Sequence, residues 1–473
     1  MSLQAVTEDF LGQNDSVRFE DWRGREWGAD SAPVTVRFNS PDAIRHFVRS
    51  PGELGFGRAY VSGAMDIDGD IWSLLNLQRD LGGIRFAPGQ IRGLIKDVGL
   101  RTLTQSPPIP PEEVDLGGRL RKHTLARDRK SITHHYDVSN DFYRMVLGPS
   151  WTYSCAVFEN ETDTLEQAQS NKYELICRKL GLEPGMRLLD VGCGWGGMVI
   201  HAATHYGVEA VGITISEAQA TKARERVAEL GLEDRIEIRV QDYRDITDGP
   251  FDAISSIGMF EHVGLAYLTR YFEILRGLLT PSGRLLNHQI GRTPMPPIGR
   301  IIKKEQVAVA RDGFIHRYVF PDGELHEVGD VVGQMQRIGI EARHMESIRE
   351  HYALTLRHWV DNLEANWDAA VAEVGEGRAR VWRLYMAATS VNFAVGQVQV
   401  HQILGVKLPK TGAAMGRSRM GLRQRWEYDL STVGGGDRAN HDSRLVDIRE
   451  RPLSTPQKKR NERRRSPLRR TGS

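Results

Sequence analysis

Cysteine is scarce in this chain: three in 473 residues, Cys155, Cys177 and Cys193, without paired or metal-like spacing. So low and odd a count argues against a disulfide scaffold or a zinc site and suits a reducing compartment. Long hydrophobic runs are missing too. No stretch of about eighteen apolar residues occurs, so no membrane-spanning helix is expected. The opening residues MSLQAVTEDFLGQNDS have no basic-then-apolar signal pattern, which points to the cytoplasm. Nor is there an excess of one charge: 63 Lys and Arg against 61 Asp and Glu leave a net charge of +2. No global field draws the chain to nucleic acid.

What is present is unevenly placed. Hydrophobic residues make up 40% of the chain, enough at this length for two or three domains. Residues 1–105 have the pattern of a small α/β unit, with an alternating APVTVRFNS and a helical GDIWSLLNLQRDL. Residues 106–130 break it as a linker, Pro-rich and then basic. From 131 to 430 helices and strands alternate. That order implies a doubly wound, Rossmann-like α/β domain with a parallel sheet. Its late helical stretches, YALTLRHWVDNLEANW and RARVWRLYMAATSVNFAVG, are expected to cap the sheet. Residues 431–473 have almost no apolar period and are expected to be a disordered basic tail. Its end, PQKKRNERRRSPLRRTGS, carries eight Lys or Arg against one Glu.

At the middle of the alternating region stands LLDVGCGWGG, Leu188 to Gly197. In doubly wound sheets a ligand sits beyond the carboxyl ends of the strands, where the first turn meets a helix. Gly192, Gly194, Gly196 and Gly197 let that turn approach a ligand with no Cβ between them. No Lys-Ser or Lys-Thr follows, as a phosphate loop needs. Asp190, on the strand before the first glycine, disfavours a diphosphate and suits a cationic ligand with an amino group. S-adenosylmethionine has that chemistry. Thr214 to Gln219, opening the next helix, can hold a ribose, and Asp242 at the third strand end can accept from an adenine amino group. Each feature alone is compatible with an ordinary cap or turn; their place at successive strand ends favours a site.

The stretches HHYDVSNDFY, TYSCAVF, LLDVGCGWGG, GITIS, SIGMFEHVG, NHQIG, RYVFPDGEL and HYALTLRHW resemble, in order, the cyclopropane-fatty-acyl-phospholipid synthases and mycolic acid methyltransferases. GFGRAYVSGAMDI is similar to the smaller leading domain of the full-length synthases. The resemblance implies methyl transfer from S-adenosylmethionine to a cis double bond of a phospholipid acyl chain. It implies that a carbocation forms and that bound bicarbonate takes a proton as the ring closes. It implies a bicarbonate pocket of Cys155, Glu261, His288, Ile290 and Tyr352. It implies cofactor contacts from Tyr153, Ser154, Leu188, Asp190, Gly192, Gly194, Gly196, Thr214, Ile215, Ser216, Gln219, Asp242 and Tyr243.

The bare chemistry agrees. An alkene needs no Ser or Cys nucleophile, but it needs a dry slot, tolerance of a cation and a late-acting base. Glu261 and His288, read as ending consecutive parallel strands, are expected to project over the cofactor. Without the motif, His288 is equally a satisfied core histidine and Cys155 plain packing. Thr389 stands where several relatives carry cysteine. Expected partners are an unsaturated phospholipid and an anionic membrane surface at the inner face; the basic tail is otherwise a solvated end. A reductase partner, for a methylene or methyl-branched product, and a homodimer stay open. Nucleic-acid methylation is disfavoured, since no Asn-Pro-Pro-Tyr or Pro-Cys motif occurs. A lipid-binding protein without catalysis is disfavoured by the intact glycine loop. No metal is expected.

Overall fold

Two sets of strands build two sheets, and the second carries the glycine loop. The computed structural model describes residues 3–11, 15–80, 99, 105–114, 138–160, 162–293, 313–321 and 323–408. Outside them lie the basic tail 431–473, the basic stretch before residue 131 and the start of HHYDVSNDFY. Residues 1–411 form one unit.

The first sheet has four strands in the order β2-β1-β3-β4: β1 Val17–Glu20, β2 Glu26–Gly28, β3 Val34–Phe38 and β4 Met65–Gly69. β1 and β3 pair in parallel; the other neighbours are antiparallel. β3 alternates buried and half-buried residues, so one face is committed to a core. Phe19 stacks on Trp27 and Phe38 there. Helices Asp42–Arg49, Glu53–Val61 and Ile71–Asp80 complete the unit. Asp70 starts the last of these by accepting from the backbone N–H groups of Trp72 and Ser73.

The second sheet has seven strands in the order β10-β11-β9-β8-β5-β6-β7. They are β5 Arg187–Val191, β6 Glu209–Thr214, β7 Ile236–Val240, β8 Phe251–Ile257, β9 Leu279–Arg292, β10 Ile340–Ser347 and β11 Val398–Lys407. The neighbours from β9 to β7 are parallel, as the alternating pattern predicts. β11 is antiparallel to both β9 and β10, a departure from the all-parallel expectation. The reason is visible in the residues. β11 is buried yet contains His401 and Gln402, so it has no clean apolar run. β10 is an edge strand on which every residue after Ile340 is half-buried or exposed, Glu341, Arg343 and Glu346 among them.

Helices Arg349–Ala365 and Glu376–Ala394 pack on each other and against β11, the capping role their spacing implies. The second also reaches the four-stranded unit. Its Arg380 bonds Asp66 and the Tyr60 carbonyl, and its Arg383 donates to the Tyr60 hydroxyl at 3.0 Å. The described part of the Pro-rich stretch, 105–114, is fastened as well. Arg58 donates to both Glu113 oxygens at 2.6 Å, Tyr318 donates to the same carboxylate, and Val114 N–H donates to the Arg317 carbonyl at 2.7 Å. Among the described residues no helix is long and apolar enough to cross a membrane.

Candidate functional site

β5 delivers Asp190 to the middle of the sheet and ends at a turn only glycine forms easily. Gly192, Gly194 and Gly196 have φ of 82°, 54° and 81°. The N–H groups of Gly192 and Cys193 both donate to the Ile213 carbonyl, bending the turn over the end of β6. The helix Gly197–Tyr206 then starts in close contact with its neighbour: a Cβ on Gly197 would lie 2.2 Å from the Tyr173 hydroxyl. Against this turn opens a cavity of about 1310 Å³, mouth included.

The cavity wall contains Tyr153, Ser154, Asp190, Gly192, Gly194, Thr214, Ile215, Gln219, Asp242 and Tyr243. Leu188, Gly196 and Ser216 stand outside it, in strand, turn and helix cap respectively. Asp190 is buried, accepts from Ser255 Oγ at 2.7 Å, and is pushed up to about 6 by desolvation. Thr214 Oγ1 donates to Gln219 Oε1 at 3.0 Å, and Ser216 caps the helix Glu217–Glu229. Asp242 is held by Arg244, whose guanidinium donates to both carboxylate oxygens at 2.8 and 2.6 Å. Its capacity to bind an adenine amino group is therefore shared with Arg244.

Aromatic rings close the cavity on the other side. Trp151, Tyr153 and Trp195 line it. Tyr143 packs between Tyr153 and Trp195, with ring centroids 5.9 and 4.9 Å away. Behind Tyr153 stand Trp359 and Trp382, at 5.2 and 5.7 Å, and its hydroxyl donates to that of Tyr385. Such faces stabilise a desolvated cation without reacting with it. Sequence reading named only Tyr153 of this wall, because the other members are spread along the chain and resemble ordinary core aromatics.

Cys155, Glu261, His288, Ile290 and Tyr352 do not line the glycine-loop cavity. Glu261 sits in a 3-10 turn, Phe260–His262, and its Oε1 accepts from the Ile290 backbone N–H. His288 lies inside the fourteen-residue β9 rather than at its end. The expected projection of both over the cofactor from two strand ends is thus replaced by a carboxylate folded back onto β9. His288 and Ile290, two residues apart, share one face of β9. Glu261 Oε2 is buried with no hydrogen-bond partner, and burial pushes the carboxyl up to about 7. Cys155 Sγ donates to the Ala156 and Ile348 carbonyls, and burial pushes its thiol well up, so it is no nucleophile. The Tyr352 ring packs on Phe393 at 4.6 Å. Helix Glu376–Ala394 adds Thr389, whose buried hydroxyl also has no partner. One turn before it is Tyr385, within electrostatic range of Glu261.

Two buried lysines were not foreseen. Lys172 Nζ donates to Ser154 Oγ at 2.8 Å and lies 4.0 Å above the Tyr173 ring; burial pulls it down to about 7. Lys179 Nζ bonds Glu346 and Gln402. Both lie on the inward face of helix Leu165–Leu180, with Leu165, Ala168 and Ile176. Charge on the apolar stripe of an amphipathic helix is the signal that could have found them. Among the described residues no His, Cys, Asp or Glu cluster has the makings of a metal site.

The arrangement suits a cationic ligand at Asp190. Residues 123–403 match the family model described as mycolic acid cyclopropane synthetase. A probable fatty acid methyltransferase of Mycobacterium tuberculosis is 42% identical over 87% of this chain and 96% of its own length. The cyclopropane-fatty-acyl-phospholipid synthase of Escherichia coli is 32% identical over 82% of this chain and 91% of its own. Among solved structures, a mycolic acid cyclopropane synthase, CmaA1, complexed with SAH and CTAB, is 33% identical. It covers 61% of this chain and all of its own, with a TM-score of 0.56.

Proposed function

Because the chain belongs to the mycolic acid cyclopropane synthetase family and is an S-adenosylmethionine-dependent methyltransferase, we propose that it converts a cis double bond of an unsaturated phospholipid acyl chain into a cyclopropane ring. When bound, S-adenosylmethionine supplies an electrophilic methyl group, and bicarbonate supplies a base.

The residues fit both groups. Asp190, held by Ser255, suits the cofactor's amino group, and the glycine turn leaves room for its body. Tyr153, backed by Trp359, Trp382 and Tyr385, excludes water and tolerates positive charge at the acyl chain. Glu261 and Thr389 offer a buried carboxyl oxygen and a buried hydroxyl, both without partners. An acid poised near 7 can donate to one oxygen of a small anion. The unpartnered Glu261 Oε2 is the observation that carries the reading, since a buried polar atom is seldom left unsatisfied without a functional reason.

A second reading keeps the same chemistry and ends in a methylene or methyl-branched acyl chain, finished by a reductase. It is favoured by the names of two relatives, the Mycobacterium tuberculosis protein and a 37% identical one of Pseudomonas putida, both probable fatty acid methyltransferases. The substrate's place in a bilayer sets the enzyme at the inner membrane surface. There the eight basic residues of its final stretch, PQKKRNERRRSPLRRTGS, contribute attraction of about 1 kcal/mol each near anionic lipid.

Lipid mass spectrometry of cells expressing the protein with methyl-labelled methionine tests both readings. A labelled acyl chain inert to mild hydrogenation and two hydrogens short of the saturated methyl-branched chain is expected; uptake of hydrogen identifies the methylene product, and the fully saturated mass the methyl-branched one. No label in the acyl chains overturns the function.

A further inference from the structure

His288 lies opposite Gln402 across the β9–β11 ladder, so both side chains share one face of the sheet. Gln402 Nε2 lies 3.3 Å from His288 Nδ1. On the other side of Gln402, Lys179 Nζ donates to its Oε1 at 2.7 Å and also bonds the half-exposed Glu346. Lys179, Gln402 and His288 are all buried.

An ammonium has three donors and no acceptor, so the Gln402 atom facing it must be the carbonyl oxygen. The amide hydrogens then face His288. Reversing the amide would set NH₂ against the ammonium, donor against donor, in a place with no water to relieve it. His288 Nδ1 must therefore accept. A neutral imidazole carries one proton, which is left to Nε2. The ring is kept neutral by burial, reinforced by the positive charges of Lys172 and Lys179.

We propose that Lys179 and Gln402 are positioning residues that lock His288 as the Nε2–H tautomer, so that its ring offers the pocket a donor and cannot serve as its base. This rests on the reading that His288 belongs to the proton-accepting pocket. It deepens that reading by dividing the labour: His288 holds the anion, and the anion takes the proton. Burial pulls the Lys179 ammonium down, and Glu346, at the outer end, opposes that by charge and hydrogen bond, so the ring's tautomer is set from a half-exposed carboxylate three side chains away.

The full-length protein, labelled with ¹⁵N-histidine, tests this by long-range proton–nitrogen correlation; the His288 signals are those lost in His288→Gln. Wild type is expected to show a bare Nδ1 and a protonated Nε2. Gln402→Glu sets an acceptor against Nδ1 and is expected to invert the pattern or give imidazolium. Its turnover should fall roughly 10- to 100-fold, with S-adenosylmethionine affinity and melting temperature near wild type. Glu346→Gln, which alters a half-exposed side chain, is the variant safest for folding; it should broaden or mix the His288 tautomers. A wild-type ring protonated at Nδ1, or a Gln402→Glu ring that keeps a bare Nδ1, overturns the lock. Full turnover in His288→Gln overturns instead the reading of the pocket, and with it the use of the lock.

Discussion

Ser255 Oγ donates to Asp190 Oδ1 across 2.7 Å, from β8 to β5, with both side chains buried. Burial raises the Asp190 carboxyl from 3.8 to about 6, while Ser255 and then Lys172 pull against that rise. Cofactor affinity should therefore weaken as pH falls through 6, when the carboxylate facing the cation is neutralised. The contribution of Asp190 to the stability of the ligand-free fold runs the other way. This group binds its proton more readily folded than unfolded, so between pH 6 and about 4 its contribution increases as pH falls. Binding calorimetry, and the difference in melting between ligand-free wild type and Asp190→Asn, between about pH 4.5 and 7.5 should show the two trends diverging. Ser255→Ala should shift the loss of affinity to higher pH.

Gly194 has φ of 54° and open space where a Cβ would stand. Gly194→Val should thus leave the fold intact, adding about 1–3 kcal/mol of backbone strain, and push a branched side chain toward the cavity. S-adenosylmethionine affinity should drop at least tenfold by calorimetry. Equal affinity would remove the loop from the site.

Glu261→Gln keeps an oxygen for the Ile290 N–H but abolishes the acid at Oε2. Turnover should slow by tens to hundreds, about 2–3 kcal/mol, with cofactor affinity almost unchanged. Added bicarbonate should stimulate wild type more than the variant. Parallel loss of affinity and activity, or a wild-type rate indifferent to bicarbonate depletion, would move the proton acceptor elsewhere.

Thr389→Val removes a buried hydroxyl that has no partner in the ligand-free protein. Its melting temperature should stay level or rise, since desolvating that group costs about 1–3 kcal/mol. Turnover should nevertheless fall. Unchanged turnover would free Thr389 from the anion's surroundings and explain why relatives can carry cysteine there.

Arg383→Met leaves the Tyr60 hydroxyl and the Ile67 carbonyl without their guanidinium donor. A loss of about 1–3 kcal/mol in urea unfolding is expected. Glu364 is exposed enough to recover water, so the broken ion pair adds little.

Deleting 432–473 should weaken binding to anionic vesicles, most at low salt, where attraction is least screened. Unchanged partitioning would leave the tail as a solvated end.

The parallel core was legible because β5 to β9 combine apolar strands with helices of regular period, and Asp190 with its glycines marks the ligand end directly. β10 and β11 were not, since Gln402 and His401 interrupt the only apolar run that could have announced a central strand. Glu261 and His288 were singled out through the motifs around them. Their arrangement was not, because the turn at Phe260–His262 returns the carboxylate to Ile290 rather than continuing outward. Lys172 and Lys179 escaped because long side chains on a helix ordinarily reach solvent; their place on the apolar stripe is the one sequence signal, and Ser154, Gln402 and Glu346 supply the partners it could not name. Arg380 and Arg383 escaped similarly, their partners lying more than three hundred residues earlier.

β11, inserted between β9 and β10, is the last strand of its sheet to leave the ribosome. β9 emerges more than a hundred residues earlier and has one edge uncovered until Val398–Lys407 arrives. Pairings so distant in sequence form slowly, and an unpaired strand edge invites association with other nascent chains. Gln402 travels on that same late strand. A nascent chain that has already folded its glycine turn therefore still has an unfinished His288 environment until the sheet is closed.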